Sequence, residues 1–269
     1  MNPGDLTNFQ KLFCLFLLAA AFILTPIFLA AEVRLVRVPV QRDYGEGHVL
    51  WQTREILDPT QAYKRADTLP YVVYPYTPLY MLAARVANHL VWSDPLIAGR
   101  SLSLLSTLGI GVALAWTVAF SAPPRAAWLV RAASGAFAGV LPFLMDGVQG
   151  WGSLMRVDML ALLLMYAGLG VYITLGERER WQYVAAILFV LALFTKQTML
   201  SAPLACLGFG VFVDWPPVSH CSGTVCRHDQ NNCAGPHSTA LQMVGRIIAP
   251  AEDVAHLCSR SETTFSDDR

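Results

Sequence analysis

Residues 12–31 run for twenty positions without a charged side chain. At about 1.5 Å of rise per residue, that is one α-helix able to cross the roughly 30 Å hydrocarbon core of a bilayer. Lipid offers the backbone no hydrogen-bond partners, so a segment of this kind has to satisfy its own. Four further runs repeat the pattern. Residues 96–120 carry only Arg100, residues 126–145 only Arg131, and residues 159–176 no charge. Residues 183–213 span 31 positions interrupted by Lys196, enough for one long helix or two shorter ones. Five of the seven tryptophans, Trp92, Trp128, Trp151, Trp181 and Trp215, fall at or just beyond the ends of these runs. An amphipathic ring is most stable at that depth, among headgroups.

Only 14% of the chain is charged, against about a quarter in an ordinary globular domain. The 19 basic residues are matched by 19 acidic ones, which leaves no cationic excess to neutralise nucleic-acid phosphates. The expected class is an all-α polytopic membrane bundle. Lys11 and the small residues Ala30 and Ala31 around the first run also suit a cleaved leader, but its twenty residues exceed the roughly 7–15 of a signal core, so it reads as a span. Gly135 and Gly139, four apart in the third run, mark a possible close helix contact with no functional weight.

Residues 32–95 separate the first two runs and hold seven acidic and seven basic side chains. Connections this long usually carry function. Residues 41–57 start with Asp43 and Glu46 and continue with Val49, Leu50, Ile56 and Leu57, the pattern of a helix lying along a membrane surface, stopped by Asp58-Pro59. Residues 71–92, with Pro75, Pro78 and four tyrosines, read as a re-entrant or interfacial helix. Residues 214–269 are of another character. They hold His220, Cys221, Cys226, His228, Cys233 and His237 at intervals that fit no paired zinc spacing. They read as a polar tail, disordered or the product of a slipped reading frame.

Charges kept beside apolar runs mark function, because each is costly near hydrocarbon. If the five runs alternate across a membrane, the long first loop and residues 146–158 share one side. Lys196, 13 residues into the fifth run, then lies about 20 Å along it toward that same side. Asp43, Glu46, Arg156, Asp158 and Lys196 therefore converge on one face. Which face is outer rests on Lys11, Arg125, Arg131, Arg178 and Arg180 at one end against Arg34, Arg37 and Arg42 at the other, a five-to-three vote for placing the site outside.

Several motifs occur in order: Asp43-Tyr44-Gly45-Glu46-Gly47, Tyr74-Pro75-Tyr76-Thr77-Pro78-Leu79-Tyr80, Ala98-Gly99-Arg100, Arg156-Val157-Asp158 and Phe194-Thr195-Lys196-Gln197-Thr198. Together they resemble the N-terminal half of GT-C glycosyltransferases of the protein O-mannosyltransferase and aminoarabinose-transferase group, over residues 1 to about 213. The resemblance implies a GT-C-type bundle with a long first extracytoplasmic loop, multi-pass in a bacterial inner membrane. It also implies transfer of a sugar from a polyprenyl-phosphate donor to an acceptor on the outer face. The family's adjacent Asp-Glu pair is here separated by Tyr44 and Gly45.

On that reading Asp43 is the base. Glu46 holds the acceptor, shares a proton or helps bind a divalent cation, Mg or Mn, the one cofactor considered. Arg156 and Lys196 meet the phosphate's developing charge, and Asp158 orients Arg156 or contacts the sugar. Blander roles stand beside these: Asp43 and Glu46 pairing with Arg42 and His48, Asp158 capping a helix, and Tyr74, Tyr76 and Tyr80 as belt residues. His48 and His89 lack partners at metal-ligand spacing. The alternative functions are a transporter or channel subunit, with Lys196 and Asp158 lining a path, and a non-catalytic fragment of a glycosyltransferase.

Overall fold

The structure, a computed structural model, describes residues 6–64, 67, 69, 73–123 and 126–213, with side chains as far as residue 210. Arg125 and the Cys/His-rich residues 214–269 lie outside the described residues. The chain divides into two compact units, residues 1–203 and 204–269. Of the second, only residues 204–213, the continuation of a helix, are described.

Among the described residues the fold is all-α. In chain order the helices are α1 (Asn8–Val36), α2 (Tyr44–Glu55), α3 (Leu79–Leu90), α4 (Pro95–Ser121), α5 (Trp128–Val140), the short α6 (Asp146–Trp151), α7 (Asp158–Leu175), α8 (Glu179–Thr195) and α9 (Ser201–Val213). Three of them, α1, α4 and α7, are long and apolar enough to cross a membrane. Large apolar side chains such as Phe9, Phe22, Val112 and Ile173 lie on the outside.

Local chemistry sets the helix ends. A capping box opens α1: Thr7 Oγ1 accepts from the Gln10 N–H while the Gln10 side chain accepts from the Thr7 N–H. Asp94 caps α4 by accepting from the Leu96 and Ile97 N–H groups, with Pro95 at the first helical position. The run 126–145 is not one uniform helix. It holds α5 and a 3-10 turn, Leu141–Leu144, because Pro142 has no N–H to continue the ladder. The run 183–213 resolves into two helices, α8 and α9, parted where Lys196 adopts an extended backbone (φ −151°, ψ 116°).

The segment 32–95 is largely helical. α1 continues to Val36, α2 turns Glu46, Val49, Gln52 and Thr53 inward, and α3 turns Tyr80, Met81 and Ala84 inward. Val49, Tyr80, Met81 and Ala84 meet Leu96, Met155 and Val157 in one apolar cluster over the start of α4. A second cluster joins Phe28, Val36, Leu104 and Phe143, with the Phe28 and Phe143 rings stacked at 4.6 Å.

The helix α4 runs alongside α7 in the same direction and against α5 in the opposite one. Gly135 and Gly139 lie at the α4–α5 crossing. A Cβ on Gly139 would stand 2.9 Å from the Gly111 carbonyl oxygen, and one on Gly135 would stand 2.8 Å from that of Ala115. The backbones touch there because neither position has a side chain. Gly139→Val should therefore force α4 and α5 apart and destabilise the fold by about 1–3 kcal/mol, read as a lower thermal unfolding midpoint in detergent. An unchanged midpoint would mean that the crossing relaxes freely.

Candidate functional site

The ends of α1, α4, α7 and α8 that meet at one end of the first unit are tied together by charge, and the tie starts at Arg100. This side chain is fully buried one turn into α4. Its Nε and Nη2 donate to Glu46 Oε1 and Oε2 at 2.8 and 2.7 Å. Nη1 also donates to the carbonyls of Val36 (3.5 Å) and Val38 (2.5 Å), and Nη2 to that of Val40 (2.8 Å). All five guanidinium N–H groups are thereby used.

Glu46 is equally complete. Beyond Arg100 it accepts from the Met155 N–H at 3.0 Å and the Arg42 N–H at 2.8 Å. Burial pushes its carboxyl toward higher pKa, but the hydrogen bonds from Arg100, Arg42 and Met155 prevail and hold it below the usual carboxylate range. One buried pair thus joins α2, α4, residues 36–42 and the segment before α7.

The same face of α4 grips that segment further. Ser103 Oγ donates to the Arg156 carbonyl at 3.2 Å, and Thr107 Oγ1 to that of Gly152 at 3.1 Å. Arg100, Ser103 and Thr107 are spaced i, i+3, i+7, so one helical stripe fixes residues 152–156. Tyr80 on α3 completes the packing: its hydroxyl donates to the Gly99 carbonyl at 2.9 Å and lies 2.9 Å from Ser103 Oγ. Burial pushes this phenol well above its usual range.

A chain of alternating charge rests on this frame. Asp43 is the N-cap of α2, its Oδ2 accepting from the Gly45 N–H at 2.9 Å and from Arg156 Nη1 at 2.7 Å. Arg156 Nε lies 3.6 Å from Asp158 Oδ2, and Asp158 Oδ1 accepts from Lys196 Nζ at 2.5 Å. The exposed Trp151 ring stacks on the Arg156 guanidinium, 4.4 Å from its centroid. Burial works against the Arg156 charge, but Asp43 and Asp158 outweigh it and hold its pKa above the ordinary value. Gly45 is what admits this pair, since a Cβ there would lie 2.7 Å from Arg156 Nη1 and 2.8 Å from Asp43 Oδ2.

Asp43, Arg156, Asp158 and Lys196 are thus brought together; the side chains of Asp43, Arg156 and Lys196 are 26%, 16% and 25% exposed, whereas Asp158 is buried between the two cations. Glu46 is adjacent in sequence but separate in role. It is sealed from solvent with every lone pair engaged, so it is not open to an acceptor, a proton or a metal. Asp43 caps α2 from outside it, so the two carboxylates do not line one helix face. Asp158 occupies the first position of α7 without capping it. Among the described residues no group of three or more His, Cys, Asp and Glu side chains is arranged to hold a metal ion. His48 lies against the Gln52 side chain at 2.9 Å.

The reading of the sequence missed Arg100's partner, the Ser103 and Thr107 clamps, and Glu32. The last is a buried carboxylate near the end of α1 that faces Ser153 and Arg42. For Ser103 and Thr107 the only signal was polarity at helical spacing inside an apolar run.

Among the described residues the structure is all-α, with three helices able to cross a membrane and a cluster of paired charges at one end of the first unit. No family model matches the chain, and no curated protein or solved structure matches it.

Removing one member of the buried pair strands the other. Arg100→Met should destabilise the fold by about 3–5 kcal/mol, and the double change with Glu46→Leu should recover much of that loss. Because the folded-state pKa of Glu46 is depressed, its stabilisation is fully present above the ordinary value of 4.5 and is lost as pH falls through the folded value. Unfolding midpoints measured from pH 7 to pH 3 should drop only at the acid end, and the drop should be smaller in the double variant. Equal acid sensitivity in both would place the titration elsewhere.

Proposed function

We propose that this chain is a multi-pass membrane glycosyltransferase of GT-C type that takes a sugar from a polyprenyl-phosphate donor and transfers it to an acceptor hydroxyl. The observation that carries this reading is the series Asp43, Arg156, Asp158, Lys196, drawn from three separate segments and set at the end of apolar helices, with all but Asp158 partly exposed. A prenyl-linked sugar phosphate has the matching form: an apolar tail for the lipid-facing helices and an anionic headgroup at their end.

The chemistry assigns each group a task. Asp43 Oδ2 accepts both of the carboxylate's hydrogen bonds, so Oδ1 is the oxygen that takes the acceptor's proton. The acceptor oxygen bonds to the sugar's anomeric carbon as the bond from that carbon to the phosphate oxygen breaks. The leaving phosphate gains negative charge, which Arg156 and Lys196 stabilise. Asp158 aligns both cations. Glu46 serves as a positioning residue, since its bond to Arg100 fixes the first turn of α2 and with it Asp43. The charged end faces outward from the cell membrane, following the distribution of arginines around the spans.

The test is sugar release from undecaprenyl-phosphate hexose by the full chain in nanodiscs, with the labelled sugar followed to water or to an added acceptor. Asp43→Asn should cut turnover about 10²–10⁴-fold while insertion is kept. Lys196→Ala should weaken donor binding about tenfold or more, in line with a lost hydrogen bond to a charged group. Full turnover by Asp43→Asn would remove it as the base. A wild-type chain that neither binds nor cleaves the donor would end the reading.

A further inference from the structure

The helix α8 stops at Thr195, and its end is covered by another part of the chain. In a continuing helix the Leu193 carbonyl would accept from the Gln197 N–H, four residues on. Lys196 takes an extended backbone instead (φ −151°, ψ 116°), so the last carbonyls of α8 need other donors. The Lys196 N–H still reaches the Ala192 carbonyl at 2.9 Å. Leu193 is served from the first loop, where Thr77 Oγ1 donates to its carbonyl at 3.0 Å. Gln197 returns the contact, its Nε2 donating to the Pro75 carbonyl at 2.8 Å. Two hydrogen bonds of opposite sense thus fasten residues 75–77 to the chain on either side of Lys196.

The hydroxyl of Thr77 is spent where its own neighbourhood does not ask for it. It lies one residue before Pro78, the N-cap of α3, and that helix end has no side-chain cap. Thr77 is of the capping type, yet it closes the end of α8 rather than the start of α3. The strap it belongs to is held from the other side as well. Gln52, fully buried on α2, donates to the Val73 carbonyl at 2.9 Å, and the Tyr63 hydroxyl donates to the Tyr76 carbonyl at 2.8 Å. Residues 73–77 therefore connect α2, which Asp43 caps, with the break that carries Lys196.

We infer that Thr77 and Gln197 are positioning residues for Lys196: by closing α8 at Leu193 and fastening Pro75, they hold the chain out of helical geometry at residue 196 so that its ammonium meets the donor phosphate beside Asp158. This rests on the donor reading above and deepens it. Among the described residues Asp158 is the one hydrogen-bond partner of Lys196 Nζ. An ammonium has three N–H donors, so two are left for the phosphate, provided the backbone keeps them aimed. The strap also sets the separation between this cation and the base, because Gln52 and Asp43 both belong to α2.

The experiment measures binding of undecaprenyl phosphate, and of the uncharged undecaprenol, to the full chain in nanodiscs. Thr77→Val keeps the side chain's size and branching but not its hydroxyl. It should bind the phosphate about fivefold more weakly, the worth of one net hydrogen bond, and bind undecaprenol unchanged, while Thr77→Ser restores phosphate binding. In a Lys196→Ala background Thr77→Val should add no further loss, since its effect passes through that lysine. Gln197 is exposed, so Gln197→Ala, with the same expected pattern, decides the matter if Thr77→Val does not fold. Phosphate binding within twofold of wild type in these variants, while Lys196→Ala loses it, overturns the positioning role and leaves the donor reading standing. A full further loss in the Lys196→Ala background, or equal losses for both lipids, also overturns it. Failure of wild type to prefer the phosphate over undecaprenol removes the donor reading and this inference with it.

Discussion

Arg100 and Glu46 form the contact on which the charged end of this molecule depends. Two full charges without solvent are tolerable only when attraction and hydrogen bonding offset the loss of hydration. Here the guanidinium uses its five N–H groups and the carboxylate its four acceptor directions. A hydrophobic pair of the same volume would retain much of that stability, so raw stability is a poor account of it. What the ionic pair adds is direction. Each bond names a different segment, the carbonyls of residues 36–40, the turn before α2 and the amide of Met155, and fixes their positions against α4 at once.

The reachable charges inherit their geometry from that buried pair. Asp43 lies three residues before Glu46, and Arg156 follows Met155, whose amide Glu46 receives. A shift of Glu46 would therefore move both partners of the Asp43–Arg156 pair. Gly45 keeps the space between them open. The motif at residues 43–47 reads as a division of labour in which one carboxylate faces solvent, the other anchors, and a glycine separates them so that an arginine can pass.

Much of this architecture was visible before any coordinates. The helices α1, α4 and α7 follow from uninterrupted apolar length, which needs no tertiary information. The meeting of Asp43, Arg156, Asp158 and Lys196 follows from alternating the runs, since chain direction alone decides which ends share a side. The partner of Arg100 was not legible, because 54 residues separate it from Glu46 and no local pattern announces a pairing across that distance. In the sequence Arg100 stood only as the single charge of the run 96–120 and the end of Ala98-Gly99-Arg100. The break at Pro142 was hidden by composition, because hydropathy does not register a missing N–H. Glu46 was given a task beside Asp43, on the acceptor, a proton or a cation, whereas its side chain is buried and engaged by Arg100.

Charge conservation gives the proposed reaction its internal logic. At rest Asp43 and Asp158 balance Arg156 and Lys196, so the quartet is neutral, as a cluster at the edge of apolar helices has to be. A prenyl-linked sugar phosphodiester brings one negative charge. During transfer Asp43 gains the acceptor's proton and becomes neutral, while the departing phosphate gains the charge that Asp43 gives up. The total is unchanged; the negative charge has only moved from one side of Arg156 to the other. Arg156 bonds Asp43 Oδ2 at 2.7 Å in the resting arrangement, and that bond weakens as the proton taken by Oδ1 neutralises the carboxylate, just as the phosphate's demand for the guanidinium grows. A lysine in that position would be a single compact charge, whereas the guanidinium's separate N–H groups allow one cation to hold the base before the reaction and the leaving group after it.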